Sequence, residues 1–419
     1  MTKTKLSSNF FYLWLLVWPW STKLILRPAE TNYLEIAFYL SNLFLLIPIG
    51  GQLIKLFKNR KLKNEGKKIQ PLWWWGVMVI FIISTLSIIW SLDQSLALSR
   101  WLSLVSALVV FVLVLKSPAL FRERALKFFL LGLIVPALLG IIQFSNQLAP
   151  ANKYFGLAVH NPNDLGVSVI ETNSGRFLRA YGSFDHPNIL GGVMALGAIL
   201  ALFLALKNET KKAERTVLLA LFLIFSAALF SSFSRAAILA FVLALLALIF
   251  SQRQTFWRQG ASFIIGLIIL SVLAFFAYQP LVNSRVDLNA RLEEKSINER
   301  ALYLQQAGKI IINNPVRGVG LGGYTTTLMN TYPNFPVWFY QPVHNYWLLV
   351  WAELGIFGLL AVALLWFWVF GKSLNNKTWP LWLLLFFLSL FDHWLWTQPV
   401  ALGLILFIAG LISTPKFNK

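Results

Sequence analysis

The sequence predicts an all-α fold, a polytopic membrane bundle of about 12 transmembrane helices, and three observations support it. First, 58% of the 419 residues are hydrophobic, which is too apolar for a soluble domain. Second, the apolar residues form runs near the roughly 20 residues that cross a bilayer as a helix. Third, these runs are apolar on every side, which favours helices over a β-barrel. The predicted spans are 9–26, 34–54, 72–92, 97–115, 128–146, 188–206, 216–232, 236–251, 260–278, 345–371, 379–391 and 397–413.

The basic residues indicate how these spans are oriented. With the N-terminus inside, the inside segments hold 23 of the 36 Lys and Arg residues but only 4 of the 16 acids. This positive-inside pattern predicts cytoplasmic termini and accounts for the net charge of +20 without nucleic-acid binding. The first run lacks a small-residue cleavage site, so we expect it to remain as an uncleaved span. The inside segments are the N-terminus, 55–68, 116–127, 207–215, 252–258, 372–377 and the C-terminus.

The first of two long outer loops covers roughly 147–187. Two β-prone runs flank Asn173-Ser-Gly and predict a small hairpin. His186-Pro187 follows and opens the next span, because a proline is tolerated where a helix starts. Long loops are uncommon unless they are functional, so we expect this one to contribute to a site.

The second long outer loop covers roughly 279–344 and contains a predicted helix. Ser296 and Glu299 have the spacing of a capping box, which places the helix start at Ser296. Apolar residues then recur with helical spacing until Asn314-Pro315 ends the helix. This helix is expected to lie on the membrane surface or over the bundle.

Two arginines in the outer segments are candidates for binding an anion. Arg235 lies in a tight gap between two long apolar runs, and the alternative is a cation that anchors a helix end. Arg300 lies in the first turn of the predicted loop helix, where a bound phosphate would offset the unfavourable dipole. The alternative for Arg300 is a surface ion pair with Glu294 or Glu299.

Arg176 and Arg179 stand three residues apart near the predicted hairpin strand. Side chains at that spacing point to opposite faces of a strand, so at most one is expected to face a shared site. Arg179 is the preferred candidate because it is nearer the next span. The alternative for Arg179 is a solvated loop charge.

All four histidines fall in outer segments, and His344 is the strongest candidate for a general base. Glu353 lies about 13 Å further along the same predicted helix, too deep to pair with His344. His160, His186 and His393 are weaker candidates, and the alternative for each histidine is a solvated side chain. The histidines show no paired metal-binding spacing, and the chain has no cysteine that could supply a thiolate ligand.

Together, several outer arginines and one histidine suit a particular chemistry. Arginines bind diphosphates, and a histidine can deprotonate an acceptor hydroxyl. The sequence has no nucleotide-phosphate loop and no Asp-x-Asp metal motif. A lipid-linked diphosphate donor is already activated and needs neither.

Four stretches in order resemble the O-antigen ligase and O-antigen polymerase superfamily of bacterial polytopic glycosyltransferases. The resemblance covers roughly 175–360 well and the remainder only through hydropathy. The stretches are Arg179–Asn188, Ser234–Ala237, Arg300–Tyr324 and His344–Tyr346 with Glu353–Gly358.

The resemblance implies a GT-C-like helical fold in the inner membrane. It implies that a glycan is moved from a polyprenyl diphosphate, such as undecaprenyl diphosphate, to an acceptor hydroxyl on the outer side. Transfer would invert the anomeric carbon and use no metal or cofactor. Arg235 and Arg300 would bind the diphosphate with help from Arg179, and His344 would activate the acceptor hydroxyl.

Within this superfamily the acceptor decides the function. A lipid A core acceptor would make the protein an O-antigen ligase of lipopolysaccharide biosynthesis, which we favour, and a carrier-linked glycan would make it a polymerase. A protein acceptor is disfavoured because no soluble domain follows the last span. A lipid-linked sugar transporter or a non-catalytic scaffold remains an alternative, although no matching halves typical of transporters are found.

The predicted organisation has three parts. Residues 1–174 hold the N-terminal transmembrane helices and the first outer loop, 175–360 form the ligase-like core with the loop 279–344, and 361–419 hold the C-terminal transmembrane helices. The predicted partners are a polyprenyl-diphosphate-linked glycan donor, a glycan or lipid A core acceptor and membrane lipids, with no nucleic acid.

Overall fold

The computed structural model describes residues 3–60, 72–287 and 289–414. In this part of the chain, seven helices are long and apolar enough to cross a membrane, or eight if one bent pair is a single span. Four shorter apolar helices accompany them, and each of the twelve predicted spans overlaps one of these helices or the bent pair. The polytopic helical fold is therefore confirmed, while the number of crossings stays a prediction. Most of the predicted inside segment 55–68 and nearly all of the C-terminal one lie outside the described residues.

The described elements are sixteen α-helices and four β-strands, with short 3₁₀ turns at Leu40–Asn42 and Val337–Phe339. The helices are α1 (Lys3–Val17), α2 (Leu43–Arg60), α3 (Leu72–Trp90), α4 (Gln94–Lys116), α5 (Ala119–Asn146), α6 (Pro187–Ala205), α7 (Lys212–Ser231), α8 (Arg235–Ser251), α9 (Arg253–Gln259), α10 (Ala261–Val286), α11 (Arg291–Asn313), α12 (Tyr324–Thr331), α13 (Tyr346–Asn375), α14 (Trp379–Phe391), α15 (Trp394–Thr397) and α16 (Pro399–Ile412). The strands are β1 (Lys23–Arg27), β2 (Ile36–Tyr39), β3 (Val169–Thr172) and β4 (Gly175–Leu178).

The N-terminal region differs from the sequence prediction. The spans predicted at 9–26 and 34–54 are shorter helices, because α1 ends at Val17 and an antiparallel hairpin of β1 and β2 follows. Pro19 explains the early end, since proline lacks a backbone N–H and disfavours helical geometry in the residue before it.

Helix α6 occupies the centre of the bundle. In α6, 94% of the apolar window is buried, compared with 6% in α10, which lies at the edge. Close packing requires a glycine at Gly191, where an added Cβ would lie 2.6 Å from the Ser232 side chain. The N-terminus of α6 is therefore held at the middle of one end of the bundle.

The two long loops meet at that same end, which we call the site end. Helices α6, α8 and α13 begin there, whereas α10 and α14 end there. The predicted hairpin is present as β3 and β4, with Glu171 opposite Arg176. Helix α6 begins at Pro187, as the sequence predicted, and the side chain of His186 caps it.

Helix α13 is interrupted at Gly355, whose φ of 69° is in the left-handed region. The backbone of the loop after α11 fills the break, and Gly320 N–H donates to the Glu353 carbonyl at 2.9 Å. An added Cβ on Gly355 would lie 1.9 Å from the Val316 carbonyl oxygen, so only glycine fits. This packing fixes the segment after α11 against the helix that follows His344.

Helix α11 ends at Asn313 as predicted but begins at Arg291, before the predicted capping box. Ser296 therefore lies inside the helix rather than at its start, and this prediction was wrong. Glu293 and Glu294 occupy the first turn, where acidic side chains suit the helix dipole. Arg300 is in the third turn, so the predicted phosphate site at a helix start is also wrong.

Candidate active site

A cavity of about 630 Å³ opens at the site end. All four residues that the sequence selected, Arg179, Arg235, Arg300 and His344, line this one cavity. Its described lining includes seven Lys and Arg side chains but only one acid, Glu299. The fold therefore brings the candidate residues together around a strongly cationic space.

One side of the cavity is an arginine wall, formed by Arg179, Arg235, Arg285 and Arg300. Arg235 is the first residue of α8, and its guanidinium lies 2.6 Å from a carboxylate oxygen of Glu293 on α11. Arg285 at the end of α10 pairs with the other oxygen of the same carboxylate. One buried negative charge thus ties three helices together and leaves the wall with excess positive charge.

Arg300 differs from its neighbours because it forms no ion pair with any residue that the structure describes. The alternative pairing with Glu294 or Glu299 is not formed, and Glu299 instead lies 3.6 Å from Lys295. Arg300 is half-buried and lines the cavity. Its charge is therefore available to an anionic ligand.

Arg179 is buried and held rigidly between two elements. Its Nε donates to the Ser232 carbonyl at 2.8 Å, and its Nη2 donates to Asn188 Oδ1 at 2.8 Å. Burial lowers the pKa of Arg179 to about 9, which leaves it cationic at neutral pH. Arg179 therefore contributes a fixed positive charge to the cavity.

Arg176 also lines the cavity, so the expectation that at most one of Arg176 and Arg179 faces the site was wrong. The reason is local: β4 ends at Leu178, and Arg179 no longer follows the alternation of a strand. Arg176 lies 3.6 Å from Glu171, which partly neutralises it.

The second part of the site is a histidine corner, formed by His344, Asp392 and His393, of which His344 lines the cavity. His344 Nδ1 lies 3.7 Å from Asp392 Oδ1, longer than a hydrogen bond but close enough for an ion pair. The backbone N–H of His393 donates to Asp392 Oδ1 at 2.8 Å. Burial opposes ionisation of Asp392, but the contact with His344 outweighs it and holds the pKa of that carboxyl below its usual range. Asp392 is therefore an anion that can stabilise a protonated His344.

Asn188 connects the arginine wall to the histidine corner. Its Oδ1 accepts from Arg179, and its Nδ2 donates to Asp392 Oδ2 at 3.1 Å. The orientation of the amide is set by chemistry, since an arginine can only donate and a carboxylate can only accept. A single side chain at the start of α6 thus positions both Arg179 and Asp392.

The histidine corner is also a group of described residues that could hold a metal ion. The ligand atoms of His344, Asp392 and His393 lie within 4.8 Å of one another. Both oxygens of Asp392 already accept N–H hydrogen bonds, and His393 Nδ1 lies 3.0 Å from Thr397 Oγ1. His344 Nδ1, in contrast, is buried and forms no hydrogen bond with any described residue, so metal independence stays a prediction.

Sequence reasoning missed Asp392, Asn188, Glu293 and Arg285. Asp392 had a visible signal, because it is an acid in an outer gap between two apolar runs. Glu353, correctly excluded as a partner of His344, accepts a hydrogen bond from Trp396 at 2.8 Å. The remaining three depend on contacts between distant helices and give no pattern in the sequence.

Three comparisons with known proteins show what this chain is similar to. No curated protein matches the chain. A chain of the solved structure described as "Structural coordination of polymerization and crosslinking by a peptidoglycan synthase complex" aligns with 80% of this chain and 97% of its own length, at 16% identity and a TM-score of 0.37. Residues 219–363 match the family model described as O-antigen ligase, a stretch that holds Arg235, Arg300 and His344. The match confirms the predicted resemblance of this stretch to the O-antigen ligase family.

Proposed function

We propose that the protein moves a glycan from a polyprenyl-diphosphate carrier to an acceptor hydroxyl on the outer face of the cytoplasmic membrane, as an O-antigen ligase. The termini would lie in the cytoplasm and the site end would face outward. The observation that carries the proposal is one cavity lined both by Arg300, which has no ion-pair partner among the described residues, and by His344, which is paired with a carboxylate.

The apolar rim of the cavity supports a lipid-linked donor. Leu239 of α8 and Phe387 and Phe391 of α14 line the same space as the arginines. Leu239 is 49% exposed and Phe391 is 40% exposed, on helices that are apolar throughout. A diphosphate in the cationic part would leave its hydrocarbon chain against this rim and the surrounding lipid.

The geometry suits a direct displacement. The acceptor oxygen attacks the anomeric carbon while the bond to the diphosphate breaks on the opposite face, which inverts that carbon. His344 takes the proton of the acceptor hydroxyl, and Asp392 stabilises the resulting imidazolium. The arginine wall stabilises the negative charge that develops on the leaving diphosphate.

The test is a transfer assay in cells that lack their own ligase. Wild type should move glycan onto the lipid A core, and His344→Ala should leave it on the carrier although the protein still inserts. A gel of surface glycan reads both outcomes. Extension of the carrier-linked glycan by wild type would identify a polymerase instead. Movement of carrier lipid across vesicles without any glycan joined would favour a transporter and overturn the proposal.

A further inference from the structure

Ser168 lies on the cavity beside His186, and neither has a role in the chemistry described above. Ser168 Oγ and His186 Nε2 are 3.0 Å apart, an arrangement that could suggest a serine activated by a histidine. The hydrogen bond at the other ring nitrogen excludes such an activated serine. Nδ1 of His186 accepts the backbone N–H of Asn188 at 3.1 Å, so Nδ1 carries no proton.

The proton of the neutral ring is therefore on Nε2, which makes His186 the donor and Ser168 Oγ the acceptor. Burial, together with the nearby Arg179 charge, lowers the pKa of His186 to about 3 and keeps the ring neutral. His186 cannot take a proton from Ser168, and Ser168 is no nucleophile. The hydroxyl proton of Ser168 is therefore not donated to His186 and is available to another acceptor.

The backbone of Ser168 is held at both polar atoms. Its N–H donates to the Tyr181 hydroxyl at 2.7 Å, and its carbonyl accepts from the Arg179 N–H at 3.2 Å. Among the residues that the structure describes, none accepts a hydrogen bond from the Ser168 hydroxyl. Ser168 is thus a fixed donor on the cavity wall without an acceptor of its own.

We propose that the Ser168 hydroxyl donates a hydrogen bond to a phosphate oxygen of the lipid-linked diphosphate, with its direction set by His186. This inference rests on the proposed function and adds a neutral, directional contact to the arginine wall. The neighbouring cations Arg176 and Arg179 favour an anionic acceptor at that point. Ser168 would act in binding the donor and not in the proton transfer at His344.

Binding of farnesyl diphosphate to the full-length protein in lipid nanodiscs tests the proposal, with titration calorimetry as the readout. Loss of a hydrogen bond to a charged oxygen should weaken binding by about tenfold in Ser168→Ala. Ser168→Thr keeps the hydroxyl and should stay within about twofold of wild type. Ser174→Ala is the matched control, because Ser174 lies in the exposed turn of the same hairpin and is not in the cavity lining.

A double-mutant comparison tests the role of His186. His186→Asn can retain an acceptor for the start of α6 but removes the donor to Ser168, so binding should weaken by about threefold. In the Ser168→Ala background the same change should add nothing, because the two residues act through one contact. Independent, multiplying effects would overturn the assigned direction of the hydrogen bond.

The outcomes separate this inference from the proposed function. If wild type binds farnesyl diphosphate, Arg300→Ala weakens binding and Ser168→Ala matches wild type, the Ser168 contact is overturned and the proposed function stands. Equal weakening in Ser168→Ala and Ser168→Thr would also overturn it, since a structural defect would then be the cause. If wild type does not bind the diphosphate at all, both proposals fall.

Discussion

The arginine wall and His344 of the histidine corner line the same cavity, but the wall and the corner are held by different parts of the chain. The wall is assembled from α8, α10, the first long loop and α11, and Glu293 joins Arg235 to Arg285. The corner is built where α13 begins and α14 ends, and Asp392 and His393 are buried there. The corner is therefore part of the bundle, whereas the wall is complete only when the loop helix α11 is docked.

This difference assigns separate tasks to the two sides. The positive charge of the arginine wall is only partly neutralised, which suits a negatively charged ligand. Such a ligand would also favour docking of α11. Asp392 is held by N–H groups of Asn188 and His393. A carboxylate fixed in this way suits His344, a base whose position must not vary. Substitutions in the wall should change donor binding and the departure of the diphosphate, while those in the corner should change proton transfer.

The largest effect is expected for Arg300→Ala, because Arg300 is the wall cation without an ion-pair partner in the described chain. Loss of the Arg300 charge should slow transfer by about 10²-fold, since this guanidinium would face the negative charge that develops on the leaving diphosphate. Single-turnover transfer with a synthetic lipid-linked donor measures this. Arg291→Ala is the matched control, because Arg291 also lines the cavity but is 73% exposed and paired with Glu171. Equal losses in both variants would show that overall positive charge, not Arg300, matters.

A smaller effect, about 10-fold, is expected for Asp392→Asn in the corner. The 3.7 Å separation from His344 makes this contact weaker than a close hydrogen bond, so less is lost than when a tightly bonded partner is removed. Asp185→Asn is the control, since Asp185 is outside the cavity lining. An unchanged rate in Asp392→Asn would remove Asp392 from the proton-transfer step.

The contrast between the two sides also explains what could be predicted from the sequence. Hydropathy runs and the placement of charge predict the helices of the bundle, because each depends on local composition. Arg235 and His344 could be selected because a charged or titratable residue next to an apolar run is conspicuous. The pairing of His344 with Asp392 could not, since it joins two helix ends that are 48 positions apart in the chain.

The errors have local causes. The start of α11 was misplaced because Ser296 and Glu299 mimic a capping box, while Glu293 and Glu294 mark the first turn without any capping side chain. The hairpin of β1 and β2 was read as membrane helix because its leucines and isoleucines are as apolar as those of a span. In each case the local composition is compatible with two structures, and only the packing of the folded chain decides between them.

A third prediction concerns stability rather than rate and uses His393, which is 5% exposed. Burial, together with the charge of His344, lowers the pKa of His393 to about 3, below the ordinary value of 6.5. The unfolded chain therefore binds more protons between these values, so the free energy of unfolding falls as pH drops below 6.5. The expected slope from this group is about 1.4 kcal/mol per pH unit.

Thermal unfolding in detergent at pH 7, 6 and 5 measures that dependence. His393→Gln should reduce the slope without abolishing it, because this side chain no longer titrates, whereas burial also lowers the pKa of His186 to about 3 and that residue keeps its own contribution. Arg300→Ala, in the wall, should leave the slope unchanged, which would locate the acid sensitivity in the corner. A slope that is unchanged in His393→Gln would assign the acid sensitivity to other groups, with His186 the next to replace.

The smallest expected effect is that of a chelator on transfer, which should be absent within error. The corner has the histidines and the carboxylate that a metal would need, within 4.8 Å of one another, so the outcome is informative. We expect no metal requirement because Asp392 already accepts hydrogen bonds from Asn188 and His393, and a bound ion would displace them. The same assay with added zinc should instead show inhibition, since an ion on His344 would block the nitrogen facing Asp392. Loss of transfer on chelation, with recovery on adding a divalent ion, would contradict the view that the corner acts through proton transfer alone.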